Sequence, residues 1–530
     1  MTGMSASKRD AGSRNATAIV FAAAALGALC GPPAAAATRP QQSRAVSESL
    51  SAPWAVPPSI SAAPSRTKPF FACPPAARST GPARKGSARR KHATCYLVID
   101  PPASSAAAGL APALVTPLYE GSGVGGGYAP KDLQSAYGIP TSLNSPQTIA
   151  LVDAFGYPAA ESDLAKYREQ YGLGPCTKAS GCFRKVNQHG QESAYPAGNE
   201  GWEGESALDL DMASAACASC HLVLVQANSA SLGDLGEAVN TAASLGATEI
   251  SNSYGLPEEV FANKEERELF DKYYEHPGIV VTVSSGDNGY DNYLERAASP
   301  SYPATSGSVI AVGGTNLRKA SNSRGWSEEV WKDAGSGCSL FVTKPAWQSD
   351  RACTRRTDND VAAVAGTETP VSFYVNGVWS LAGGTSVASP LVAGIDAHAG
   401  ASTRSLGAQA FYMNPGSLFD VSSGSNGKCA PPAEDEYFCH AEIGYDGPTG
   451  LGTPDGVAPT GPIVETKPAS DIKQTSATLN AAVNPNGAEV SECKFEYGAS
   501  TTYTQSAPCS PAPGSGSSPV AVSAAISGLS

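Results

Sequence analysis

The chain has 530 residues, 41% of them hydrophobic and 16% charged, with a formal net charge of -12. That length allows roughly two to four domains and at least one large core. The acidic balance excludes nucleic acid as the main partner and suits work in mild acid, where carboxylates begin to protonate.

Lys8, Arg9 and Arg14 precede an apolar stretch from Ala18 to Cys30, and Ala35-Ala36-Ala37 offers small residues before Thr38. This is the pattern of an export signal over residues 1–37. The stretch is too short to span a bilayer comfortably, and no later segment is long enough either. The expected mature protein is soluble, secreted and extracellular, with no membrane span. Twelve further cysteines follow: Cys73, Cys95, Cys176, Cys182, Cys217, Cys220, Cys338, Cys353, Cys429, Cys439, Cys493 and Cys509. An even number in an exported chain suggests disulfides, and pairing near neighbours is the simplest scheme. Cys217 and Cys220 are also spaced as a redox or zinc pair, though no second pair stands at zinc spacing.

Residues 38–127 are rich in Ala, Pro, Ser and Gly and read as a short pro-segment or linker. Arg84-Lys85 and Arg89-Arg90-Lys91-His92 form a basic run, either a solvated linker or a processing site. Cys73 and Cys95 imply a small stapled element inside it. From Tyr128 the pattern changes. Tyr128–Tyr137 reads as a turn and short helix. Gln147–Asp153, His221–Ala227, Ile279–Val283 and Val309–Val312 are near-continuous apolar runs, hence strands buried on both faces. Glu249–Tyr254 resembles a strand end. Helices are expected over Glu161–Tyr171, Leu232–Leu245 and Glu265–Tyr274. Alternation of this kind predicts an α/β fold, a mostly parallel sheet with helices on both faces. Ligands in such sheets sit beyond the carboxyl ends of the strands. After about Val464, Thr475–Val483, Cys493–Tyr497 and Val520–Ile526 read as strands of a small C-terminal β-sandwich over 463–530. The chain stops at Ser530 soon after the last of them, so the module is expected to be truncated, with an exposed strand edge.

Three stretches carry chemistry. Gly383-Gly384-Thr385-Ser386 leads into small and aliphatic residues, so Ser386 is expected at the N-terminus of a buried helix, where free N–H groups favour developing negative charge. Pro390 falls near the end of its first turn. Glu205 and Asp209 lie four residues apart, on one face of a helix. If buried, the two carboxyls share a proton, as acid–base catalysis requires; otherwise they form a solvated face. Asp211 points elsewhere and is the better candidate for a solvated acid. Ser285-Gly286-Asp287-Asn288-Gly289 follows a strand end and places Asp287 on a tight loop, as an Asx-turn or as a polar group aimed into a cleft.

Together these stretches resemble the sedolisins, serine-carboxyl peptidases related to subtilisin. The resemblance runs from about Tyr128 to Gly456, within an expected domain of 128–462. It rests on Tyr128-Ala-Pro130, Glu205 with Asp209, Ser253-Tyr254-Gly255, Ser285-Gly286-Asp287-x-Gly289, Val312-Gly-Gly-Thr315, Pro345-x-Trp347-Gln348, Gly384-Thr-Ser386 and Thr449-Gly-Leu-Gly-Thr-Pro454. It implies endopeptidase activity on protein or peptide substrates at acid pH. Ser386 would be the nucleophile, Glu205 the general base and acid, Asp209 its orienter, and Asp287 a protonated member of the oxyanion hole. A carboxylate base works in acid, where a histidine would be charged. The resemblance also implies one structural Ca²⁺, held by the carboxylates of Asp420 and Asp446 and the backbone carbonyls of Val421, Glu442 and Gly444, an oxygen set suited to that ion. Glu442 stands where family members often have glycine, and residues 38–127 are short for a family pro-domain. The C-terminal module resembles fibronectin type III and is a candidate for binding a surface or polysaccharide.

Two other readings compete. An ordinary Ser-His-Asp site would use Asp153 as its strand-end acid, but none of the six histidines has a fitting context. A binding protein on a retired peptidase scaffold would not need to keep all four catalytic positions.

Overall fold

The computed structural model describes residues 5–7, 15–21, 70–73, 91–100, 119–140, 147–290, 300–351, 353–399, 404–427, 433–456, 462–485, 489–498, 505–516 and 518–529. The chain forms two compact units, one from Pro64–Thr460 and the other from Met1–Ala63 with Gly461–Ser530. Arg84, Lys85, Arg89 and Arg90 of the basic run, and most of the apolar signal stretch, lie outside the described residues.

The larger unit is built on a sheet whose strands are β1 Thr148–Ala154, β2 Phe183–Asn187, β3 His221–Ala227, β4 Glu249–Asn252, β5 Val280–Ser284, β6 Ile310–Lys319, β7 Trp326–Val330 and β8 Val361–Val364. Their order is β7-β6-β5-β4-β1-β3-β2, with β8 also on β6. Every pairing is parallel except β6 with β7. The apolar runs explain the burial. All residues of β4 and β5, and all but the first of β1 and β3, are buried, as strands covered on both faces must be.

Among the described residues the longer helices are α1 Ala160–Tyr171, α2 Glu200–Ala216, α3 Leu232–Ser244, α4 Lys264–Asp271 and α5 Thr385–Asp396. Asn199 caps α2 by accepting from the Trp202 amide at 3.3 Å, and Ser231 caps α3 through the Asp234 amide at 3.2 Å. α2 and α5 cross closely because both are rich in small residues. A Cβ on Gly394 would stand 2.5 Å from Cβ of Ala216, so only glycine fits that crossing. α5 runs on past Pro390 to Asp396, placing that proline deeper in the helix than the first turn.

Five neighbour disulfides form: Cys73–Cys95, Cys176–Cys182, Cys217–Cys220, Cys338–Cys353 and Cys493–Cys509. Cys217 and Cys220 are therefore not metal ligands. Cys439 is disulfide-bonded as well, and Cys429 lies outside the described residues.

In the smaller unit Ile463–Lys473, Ser476–Asn484 and Val520–Ser527 form one antiparallel sheet. A second holds Glu489–Tyr497 and Gln505–Pro508, with Asn15–Phe21 parallel to the former and Ser5–Ser7 beyond it. Ala481, Val483, Phe495, Val522 and Ala524 make its core. Ile463–Lys473 is an additional strand that sequence alternation does not announce, because charged and polar residues break its pattern.

Candidate active site

The site lies where several strands end at one edge of the sheet. β1 ends near Asp153, β4 leads into Ser253, and β5 leads into Ser285-Gly286-Asp287. Facing these ends, Gly383-Gly384 leaves the strand Val378–Gly383 and enters α5. Gly384 has φ of +105°, a conformation that disfavours side chains. This turn puts Ser386 at the second position of the helix.

Ser386, Glu205, Asp209 and Asp287 come together and are all essentially inaccessible to solvent. α2 carries Glu205 and Asp209 on the face turned toward α5. The Asp209 carboxylate accepts from the Ser253 hydroxyl at 2.7 Å. Asp287 accepts from both the amide and the hydroxyl of Thr385, each at 2.8 Å, which ties its loop to the start of α5. Its other oxygen, Oδ2, has no hydrogen-bond partner, and neither has either oxygen of Glu205. The Ser386 hydroxyl donates to the Ser253 carbonyl at 3.4 Å. It is near enough to Glu205 to favour that carboxylate, yet outside hydrogen-bond geometry with it.

Electrostatics follow from burial. Glu205 is held well above the usual carboxylate range, first by burial, then by the charges of Asp209 and Asp153, with the Ser386 hydroxyl opposing. Asp209 is raised by burial and by Asp153, against the Ser253 hydroxyl. Asp287 is raised by burial, which outweighs its two bonds from Thr385. Asp153 is pushed up to about 7 by burial, with the Ser206 hydroxyl opposing. A serine hydroxyl and several carboxyls, all raised by burial, thus lie together in one dry site. Such a set can transfer protons and donate a hydrogen bond to a developing oxyanion.

Two acids differ from expectation. Asp211 is not solvated; it is buried and accepts from the Tyr374 amide at 2.9 Å, because the strand Val371–Val375 packs against α2. Asp153 joins the carboxyl cluster, a place that sequence reasoning gave it only in the histidine-based alternative. Its signal was an acid ending a fully buried strand. None of the influences on Glu205 comes from a histidine. His398 instead contacts the Ala216 carbonyl at 3.1 Å, and His276 that of Tyr273 at 3.0 Å.

The residues expected to hold a metal lie on other loops. Asp420 follows the short strand Leu418–Phe419 and accepts from the Gly444 amide at 3.1 and 3.2 Å through its two oxygens. Asp446 is buried and accepts from the amide and hydroxyl of Thr449 at 2.9 and 2.8 Å and from the Glu442 amide at 3.3 Å. The Glu442 side chain turns away to Arg351, at 2.6 and 3.0 Å, leaving only its backbone available. Among the described residues no group of three or more His, Cys, Asp or Glu side chains stands as a metal cluster. The donors expected there, two carboxylates and three backbone carbonyls, are all oxygen. That chemistry fits a hard cation of the Ca²⁺ type.

The subtilase family (Peptidase_S8) matches residues 184–409. Sedolisin of Pseudomonas sp. (strain 101) is 30% identical over 370 residues, covering 63% of this chain and 61% of that protein. The solved structure of Pseudomonas sedolisin, a serine-carboxyl proteinase complexed with two molecules of pseudo-iodotyrostatin, is 25% identical with a TM-score of 0.53, covering 62% of this chain and 95% of that one. The chain is similar to the sedolisins and has a subtilisin-like fold. Kumamolisin of Bacillus sp. (strain MN-32) is also similar, 29% identical over 361 residues, covering 62% of each protein. The chain thus spans about three fifths of the length of these sedolisin-family relatives. The expected subtilisin-like α/β fold is the one observed.

Asp153 gives a test of the buried cluster. A carboxyl raised in the folded state binds its proton more tightly than the unfolded chain does. Its stabilising effect is full below about pH 4 and is lost as pH rises toward 7. In a Ser386→Ala background, Asp153→Asn is expected to shrink the difference in unfolding free energy between about pH 4 and pH 8 by roughly 2–4 kcal/mol. Urea unfolding at the two pH values measures it. An unchanged difference would show that Asp153 is ionised in the native state.

Proposed function

We propose that this chain is an exported endopeptidase, hydrolysing peptide bonds in proteins at acid pH. The observation that carries the reading is the convergence of Ser386 with three buried carboxyls, Glu205, Asp209 and Asp287, and no histidine influencing Glu205. The similarity to sedolisin and kumamolisin supports it. In this reading residues 1–37 are the export signal, 38–127 a short pro-segment or linker, 128–462 the peptidase domain and 463–530 a fibronectin type III-like module.

Each group has one task. Ser386 attacks the carbonyl carbon of the substrate, and Glu205 takes its proton. Asp209 shares a proton with Glu205 and holds the pair in a singly ionised state, the form that can act as base in acid. Ser253 orients Asp209 through their 2.7 Å bond. Asp287, kept neutral by burial, turns its unpartnered Oδ2 into a donor for the oxyanion. Glu205 then returns the proton to the leaving amine, and water, activated by the same carboxylate, hydrolyses the acyl-enzyme.

For the metal, Asp420 and Asp446 would supply carboxylate oxygens, and Val421, Glu442 and Gly444 carbonyl oxygens. Bound Ca²⁺ would neutralise two facing acids and pin two loops, without taking part in the chemistry.

Two sets of measurements test the reading. On casein, Ser386→Ala should lose at least about 10³-fold in kcat at acid pH. Asp287→Ala should lose about 10²–10³-fold. Asp287→Asn donates without needing a proton, so it should retain more activity than the alanine variant and extend it to higher pH. Wild-type activity confined to neutral or alkaline pH would overturn the assignment of Glu205. For the ion, a chelator should lower Tm by several degrees, about 2–3 kcal/mol at an ion concentration near 100 times Kd. Added Ca²⁺ should restore it, and Asp446→Asn should abolish the response.

A further inference from the structure

The loop that carries Asp287 is tied down by a second loop, residues 332–337, lying flush against it. The Gly335 amide donates to the Gly286 carbonyl at 2.7 Å, and the Gly335 carbonyl accepts from the Ser285 hydroxyl at 3.3 Å. A Cβ on Gly335 would stand 2.4 Å from the Ser285 carbonyl oxygen, so this approach requires glycine. Beyond Asp287, the Gly289 amide donates to the Asp333 carbonyl at 2.8 Å. Gly286 has φ of +114° and Gly289 of +68°, so the chain turns twice around Asp287. Thr385 fixes one carboxyl oxygen of Asp287 from the side of α5. The 332–337 loop fixes the neighbouring backbone from the other side.

Two buried asparagines hold that second loop. Asn359, just before β8, donates from Nδ2 to the Gly335 carbonyl and to the Gly447 carbonyl, each at 2.7 Å. Asn426 donates from Nδ2 to the Ala334 carbonyl at 2.6 Å and to the Ser336 hydroxyl oxygen at 2.7 Å. Ser336 in turn donates to the Phe438 carbonyl at 2.7 Å. Three of these four amide bonds end on Ala334, Gly335 and Ser336, the residues around the Gly286 contact. Asn426 also meets the Asp287 loop directly, its backbone carbonyl accepting from the Tyr290 amide at 2.9 Å. Asn359 is anchored in turn: the Asp360 amide donates to the Ala311 carbonyl at 2.9 Å, and the Tyr445 hydroxyl to the Asn359 carbonyl at 3.0 Å. A Cβ on Gly313 of β6 would lie 2.8 Å from Asn359 Oδ1, so the amide is packed as well as bonded. An amide nitrogen offers two donors on a short side chain, which is what bridging two carbonyls requires.

We propose that Asn359 and Asn426 are positioning residues for Asp287. Acting through Ala334, Gly335 and Ser336, they fix where Gly286 stands and so where Asp287 Oδ2 points. The inference rests on the peptidase reading above, in which Oδ2 donates to the oxyanion. Such a donor acts only if its proton meets the oxygen as charge develops, and a misplacement of about 1 Å costs about 10²-fold. Thr385 holds Oδ1, and Oδ2 has no hydrogen-bond partner, so a shift of the loop swings the free oxygen. Loosening either asparagine therefore lowers the rate of the chemical step. It leaves substrate binding nearly unchanged, because the donor is used in the transition state. Gly447, at the far end of the Asn359 bridge, follows Asp446, so the comparison is made in constant excess Ca²⁺.

The test is a double-mutant cycle on the full chain, with casein as substrate in acid, released amino groups as the readout and Tm measured for every variant. Asn359→Leu keeps the shape and removes both donors. It should lower kcat by about 10–100-fold and change KM by less than about threefold. In an Asp287→Ala background the same substitution should change kcat by less than about threefold, since the group it positions is already gone. Asn426→Ala should behave likewise, and it carries the test if Asn359→Leu does not fold. Equal fold-losses with and without Asp287, a loss confined to KM, or a lower Tm with unchanged kcat would overturn this inference and leave the peptidase reading standing. Failure of both variants to fold would assign the two asparagines to stability alone and overturn it as well. Absence of Ser386-dependent casein cleavage by the wild-type chain would overturn both.

Discussion

Asp153, Glu205, Asp209 and Asp287 are buried in one place, and among the described residues no cationic side chain is paired with them. Four ionised carboxylates cannot share a dry site, since each charge loses its hydration and repels its neighbours. The cluster must therefore hold protons, and the sheet edge, the Gly384 turn and the close crossing of α2 and α5 all serve to assemble it. Small residues along both helices let the backbones approach, with Gly394 against Ala216 as the tightest point. The same burial that makes ionisation costly raises Glu205, Asp209 and Asp287 together.

Much of this was legible in the sequence, and for identifiable reasons. The Gly-Gly-Thr-Ser turn announces itself because glycine and a small-residue run are local features. Glu205 and Asp209 share a helix face by spacing alone. Asp287 follows a strand whose apolar run is unmistakable. Neighbour pairing of cysteines also holds at five bridges. The parts that were not legible depend on contacts distant in sequence. Asp211 was expected in solvent because nothing near it signals that Val371–Val375 covers its face. Asp153 reads only as a strand end until β1 is placed beside α2.

The passage of residues 91–100 through the site is the clearest case. Ala93-Thr-Cys-Tyr-Leu-Val-Ile99 looks like a minor apolar patch in a segment rich in Ala, Pro and Ser. Its partners, Tyr254–Pro257 and Val378–Gly383, lie more than a hundred residues away, and edge pairing leaves no periodic trace of which edge is used. The disulfide from Cys95 to Cys73 hinted at a stapled element but not at its location. Once the pairing is known, a stretch with no chemistry of its own is placed against Ser253 and Gly384, beside the buried carboxyls.

The most direct test of the protonated cluster is neutron diffraction on crystals of the Ser386→Ala protein at about pH 4, where an ordinary exposed carboxyl is half ionised. The account predicts a deuteron on Asp287 Oδ2 and one shared within the Glu205–Asp209 pair. Bare carboxylates at all of these positions, balanced by a cation or by ordered water, would contradict it.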